Sequence, residues 1–150
     1  MLSACDKLIL KKLQDNFPLV SRPYQEVAAC FGLSEDELIW RLRRLKKKGI
    51  IRYVGAVFDT RRLGLSSALV AVKIEGKKLK KAVRLINSFE EVTHNYLRQG
   101  PYNVWFTLTA TSKKRLNAIV NQIKQKLSIK EILVLYSLKV YKIDARFEIK

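Results

Sequence analysis

The chain has 150 residues, a formal net charge of +17, and is 48% hydrophobic and 9% aromatic. That is enough apolar material for a core and too much for wholesale disorder, and no apolar run reaches the length of a membrane span. The charge calls for polyanionic partners (nucleic acid, a membrane surface, or a ligand rich in carboxylates or phosphates) without choosing among them.

The first segment, MLSACDKLILKKLQDN, lacks a signal-peptide pattern, so a cytoplasmic address and no membrane role are expected. Leu8, Ile9, Leu10 and Leu13 give a first helix its apolar side, and Asn16 to Pro18 end it. Pro23 suits the first turn of a second helix, where a missing N–H costs nothing. Gly32 closes that helix, and Ser34 with Glu37 reads as a capping box opening a third. Leu38, Leu42 and Leu45 form its apolar stripe, and Gly49 stops it. IIRYVGAVFD then reads as a two-stranded ribbon bent at Gly55. A short helix, a glycine turn, a basic helix and a ribbon are the pattern of a winged helix-turn-helix over residues 1–62. Cys5 and Cys30 have no metal or redox spacing and read as small buried hydrophobes.

From residue 63 to 150 the period changes. SSALVAVKIE is a strand with Ala68, Val70, Val72 and Ile74 on one face. KKLKKAVRLINSF is an amphipathic helix. EVTHNYLR and NVWFTLTA are strands joined at Gln99-Gly100-Pro101, a turn signal. SKKRLNAIVNQIKQKL is a second amphipathic helix, and KEILVLYSLKVYKI the closing strand. The order βαββαβ predicts a ferredoxin-like domain, making the chain α+β. Its antiparallel sheet carries helices on one face and leaves the other free to pair or to hold a ligand. Together the two halves resemble the Lrp/AsnC regulators, whose second domain binds small effectors and makes dimers.

The basic residues Arg41, Arg43, Arg44, Lys46, Lys47 and Lys48 stud the third helix, where a recognition helix would contact phosphates. Glu35, Asp36 and Glu37 crowd the turn that would meet base edges, and Asn and Gln are absent from the helix. Specific DNA binding is therefore not expected.

The only histidine, His94, lies in HNYLRQGPYNVWF. Alternation on a strand puts His94, Tyr96 and Arg98 on one side, and Asn103, Trp105 and Thr107 on one face of the next strand. A lone histidine cannot build a structural zinc site, which wants four Cys or His ligands. An iron tetrapyrrole needs only one protein ligand, and its acidic side chains want arginine, lysine and tyrosine partners. A histidine hydrogen-bonded for structure is the plainer alternative.

RPYQEVAACFGLSEDELIWRLRRLKKKGIIRYVGAVFD together with VTHNYLRQGPYNVWFTL resembles siroheme decarboxylase subunits, an enzymatic branch of the Lrp/AsnC-like proteins. The resemblance implies a carboxy-lyase in haem or haem d1 biosynthesis. It would remove two acetate carboxyls of siroheme as carbon dioxide, in a complex of two related subunits, with no cofactor beyond the iron tetrapyrrole substrate and with haem as a bound analogue. His94 is then expected as axial iron ligand or proton donor, with Arg98 on a ring carboxylate and Tyr96 and Tyr102 as donors or relays. Arg52, Asn103 and Trp105 are expected at the pocket edge. The alternative function is a DNA-binding regulator with a small-molecule effector.

Overall fold

The computed structural model describes residues 2–143 and 146–149. It divides into two compact units, Met1–Ala56 with Lys142–Lys150, and Val57–Tyr141.

In the first unit, α1 (Ala4–Asp15), α2 (Pro23–Ala29) and α3 (Glu35–Lys47) surround Ile9, Val27, Ala28, Leu38 and Leu42. Pro23 occupies the first turn of α2 as expected, and Gly32 takes φ +65°, the left-handed conformation the turn before α3 requires. Ser34 caps α3 by accepting the Glu37 N–H at 3.1 Å. The reciprocal half of the expected box is replaced: the Glu37 carboxylate turns down the helix and accepts two bonds from Arg41. A complete capping box stands instead at α1, between Ser3 and Asp6. Asp6 is also the one buried acid among the described residues, 1% exposed, and receives Arg41 at 3.2 Å and Arg44 at 2.6 Å.

Two expectations for this region are corrected. No strand forms between residues 48 and 65, so the wing is not a hydrogen-bonded ribbon. Ile50 and Ile51 give their N–H groups to Leu45 at the end of α3. The Tyr53 ring folds over Gly55, where a Cβ would lie 2.0 Å from the phenol oxygen, and its hydroxyl donates to Ala56. A compact bend thus takes the place of a ladder. The cysteines are not buried hydrophobes either: Cys5 is half-buried and Cys30 exposed, the latter bonding back to the Glu26 carbonyl.

In the second unit, β1 (Ser66–Val72), β2 (Val92–Leu97), β3 (Val104–Ala110) and β4 (Ile132–Tyr136) form one antiparallel sheet in the order β2-β3-β1-β4. α4 (Gly76–Asn87) and α5 (Lys113–Leu127) pack on one face. There Val70, Val72, Val104, Phe106 and Leu108 meet Ala82, Ile86, Leu116, Ile119 and Ile123. The alternation along β3 follows from the pleat, every second residue entering the core. This is the predicted ferredoxin-like arrangement, and its second face is uncovered by helices. β1 and β4 are each shorter than the strands the sequence predicts, ending at Val72 and Tyr136.

Candidate functional site

The face away from the helices can be read from the register. His94 pairs with Thr107 and Tyr96 with Trp105, while β1 brings Leu69 opposite Thr107 and Ala71 opposite Trp105. Paired residues share a face. His94, Tyr96, Trp105 and Thr107 therefore stand together on the open side, with the apolar Leu69 and Ala71 beside them.

Along β2 the side chains form a ladder. The His94 and Tyr96 rings lie 6.2 Å apart and 19° from parallel. The Arg98 guanidinium sits 5.7 Å from the Tyr96 centroid, a cation–π contact. Arg98 lies one residue past β2, but its N–H still bonds the Asn103 carbonyl at 2.8 Å, which carries the pairing to the turn. β2 is an edge strand, so this row of imidazole, phenol and guanidinium is open to solvent.

A neighbour orients His94. The ladder shifts register between Val92 and His94, and the Thr93 hydroxyl reaches the Thr107 carbonyl at 3.5 Å. The same hydroxyl oxygen lies 3.1 Å from His94 Nδ1, which anchors the ring through that nitrogen. No hydrogen bond occupies Nε2 among the described residues, so it is the ring nitrogen open to a ligand. Thr93 was not foreseen, because a bulge leaves no mark in residue spacing.

The turn that carries Tyr102 is fastened at several points. The Trp105 indole donates to the Tyr102 carbonyl at 2.8 Å, and the Tyr102 hydroxyl points to Glu131 at 3.5 Å. The Asn103 amide accepts from the Ile74 N–H and donates to the Ile74 carbonyl, both at 2.8 Å. Asn103 is thus a clamp between β1 and β3 rather than a group held out toward a ligand. Asn95 faces the helix side, donating to Asn87 on α4. Arg52, expected at the pocket edge, is exposed in the segment after α3 and belongs to the first unit. Among the described residues no three His, Cys, Asp or Glu side chains gather as a metal cage, so an iron bound here would have to bring most of its own donors. A histidine in one row with a phenol and an arginine offers a ring nitrogen to an iron and a guanidinium to a carboxylate arm, a combination that suits an iron tetrapyrrole.

Residues 62–142 match the family model described as the AsnC-like ligand binding domain, and residues 6–52 the siroheme decarboxylase NirDL-like HTH domain. The siroheme decarboxylase alpha subunit of Desulfovibrio desulfuricans is 40% identical over 146 residues, covering 97% of this chain and 84% of its own. That of Oleidesulfovibrio alaskensis is 42% identical, covering 95% and 87%. The crystal structure of the siroheme decarboxylase NirDL in co-complex with an iron-uroporphyrin III analogue is 31% identical with a TM-score of 0.69. The match covers 97% of this chain and 48% of that longer one. AsnC of E. coli shares the fold at a TM-score of 0.76, with 23% identity over 95% of this chain and 96% of AsnC.

Proposed function

The chain belongs to the siroheme decarboxylases, and from that membership we propose that it is a siroheme decarboxylase subunit working on the open face of its ferredoxin-like sheet. The substrate is siroheme and the reaction is non-oxidative: two ring acetates each lose their carboxyl group as carbon dioxide and take up a proton, so that methyl groups remain. The observation that carries the site is the single row His94, Tyr96 and Arg98 on the helix-free face.

Each turnover breaks the bond between an acetate methylene and its carboxylate. The electron pair left behind is taken into the conjugated ring, and a proton then makes the methyl. The chemistry of charge delocalisation is the substrate's own. The protein's tasks are to hold the ring, orient the departing carboxylate and deliver the proton. His94 ligates the substrate iron through its open ring nitrogen or, if the ring lies otherwise, acts in its protonated form as the proton donor. Arg98 pairs a ring carboxylate through two parallel N–H bonds, its guanidinium already held over Tyr96. Tyr96 and Tyr102 offer hydroxyl donors, and Trp105 forms an apolar wall between them, tied to the Tyr102 carbonyl. Arg52 and Asn103 stay assigned to substrate only indirectly, the latter by holding the turn.

A homologous second subunit completes the enzyme, and the product enters haem or haem d1 synthesis. No described helix is long and apolar enough to cross a membrane, in keeping with a cytoplasmic enzyme. The test is anaerobic incubation with siroheme, alone and with the homologous subunit of the same genome, followed by mass spectrometry of the tetrapyrrole. Stepwise loss of two carbon dioxide masses is expected. An unaltered tetrapyrrole in both arms would end the enzyme assignment.

A further inference from the structure

The second unit contains a cavity of about 510 Å³ whose lining shares no residue with the His94–Arg98 row. It lies where β1 runs into α4 and α5 runs into β4. Its apolar floor is the half-buried Leu127 with the edges of Ile74 and Ile129, and Ala82 lies beneath them. Lys73, Lys81, Lys126 and Lys130 line it as well, from three stretches of chain, and none of the four pairs with a described acid. Two carboxylates, Glu75 and Glu131, stand against five lysines in the lining, which leaves it net positive. Glu75 holds Lys78 at 3.4 Å, and Glu131 accepts the Tyr102 hydroxyl.

Four unpaired ammonium groups around one concavity repel each other, though each side chain reaches solvent. A solvated lysine face would spread such charges over a convex surface. Gathering them over an apolar lining matches a ligand with the complementary halves, several negative groups on a compact apolar body. The volume falls in the range of small-molecule sites, about 300–1,000 Å³.

We propose that this cavity is a second ligand site, taking an amphiphilic polycarboxylate whose apolar body rests on Leu127 and the edges of Ile74 and Ile129 and whose carboxylates pair with Lys73, Lys81, Lys126 and Lys130. The proposal stands apart from the decarboxylase reading, since it uses neither His94 nor iron.

The probe is pyromellitate, a benzene ring with four carboxylates, titrated into the full chain while methyl resonances are followed by NMR. The expected result is saturable shifts of the Ile74, Ala82, Leu127 and Ile129 methyls, weakening as salt rises. The variant Lys81→Gln/Lys126→Gln keeps the fold, both side chains being exposed, and should lower the affinity about tenfold or more. His94→Ala should leave it unchanged. Benzoate and pyrophosphate, each lacking one half of the ligand, should bind at least about tenfold more weakly. Shifts scattered over the basic surface without saturation would overturn the proposal. So would an undiminished affinity in the lysine variant, or pyrophosphate binding as well as pyromellitate.

Discussion

The His94 ring is anchored by Thr93, whose hydroxyl oxygen lies 3.1 Å from Nδ1 and leaves the other ring nitrogen open. Thr93→Val preserves the branched shape and removes that oxygen. The imidazole then loses its anchor, and tetrapyrrole affinity should fall about tenfold, as when a metal ligand loses its supporting partner. His94→Ala should go further and alter the Soret band itself. Arg98→Ala should leave that band recognisable and cut turnover by about tenfold or more, since a charge-assisted hydrogen bond contributes about 1.5–3 kcal/mol. Absorbance and turnover together separate the three: an unchanged Soret band and unchanged decarboxylation in His94→Ala would make the histidine structural. Asp6 is a residue of the other kind. Burial raises its pKa, but the two bonds from Ser3, the Arg41 guanidinium and the Arg44 charge outweigh that and hold it below its ordinary 3.8. A carboxyl lowered in this way contributes stability above its ordinary pKa and loses it as pH falls through the folded value. The first unit should therefore begin to loosen below about pH 4. Asp6→Asn should destabilise it at neutral pH by about 2–4 kcal/mol, somewhat less than a fully enclosed charge cluster because Arg44 reaches water. Trp40 fluorescence during urea unfolding, in a Trp105→Phe background, reads this unit alone; an unchanged midpoint would show the cluster to be neutral.

The second unit's turn is held by a single side chain acting as backbone. Asn103 takes both polar groups of Ile74 at the end of β1, so Asn103→Ala strands a part-buried N–H and carbonyl. A loss of about 1–3 kcal/mol is expected, with faster amide exchange at Ile74 and a fall in activity that follows from freeing Arg98 and Tyr102. Exchange confined to the chain ends, with Ile74 still protected, would show the clamp to be redundant. Elements of this kind separate what a sequence reveals from what it hides. The βαββαβ order, the β3 alternation and the apolar stripe of α3 are periodic, and periodicity is what burial writes into a sequence. The shared face of His94, Tyr96 and Trp105 follows from the same period of two. Asn103 read as a ligand group because an amide in a strand-flanking turn suits both roles; only its bonds to Ile74, 29 positions away, decide. IIRYVGAVFD read as two strands because its β-branched and aromatic content fits the pattern. The Tyr53–Gly55 packing that replaces them is a local contact that composition does not encode. The α1 capping box was missed because Ser3 and Asp6 satisfy it with an Asp in place of the usual Glu or Gln.

For the whole molecule the first question is what +17 acts on. Arg41 and Arg44 are already committed to Asp6 and Glu37, which withdraws two of the six cations that α3 and its end would show to phosphates. Binding to duplex DNA should therefore be weak, indifferent to sequence and steeply salt-dependent. A selected sequence held far more tightly than random DNA at physiological salt would restore the regulator reading. The second question is what covers the open sheet. Leu69 is 40% and Leu135 48% exposed, on the face that also carries the half-buried Leu133 and Trp105. A sheet face with this much apolar surface calls for a partner of like shape, and the homologous subunit presents one by the same fold. We expect a dimer, with itself or with that subunit, burying the strands Ser66–Val72 and Val104–Ala110. Leu69→Lys would place a charge in the middle of the contact at an exposed position, so it should disrupt assembly without unfolding the protomer. Its core neighbours Ala68 and Val70 point to the other side. Sedimentation should show the dimer in the unaltered protein and the monomer in the variant, with turnover lost in step. A stable monomer, both alone and beside the homologous subunit, would mean that the face serves the ligand and not a partner.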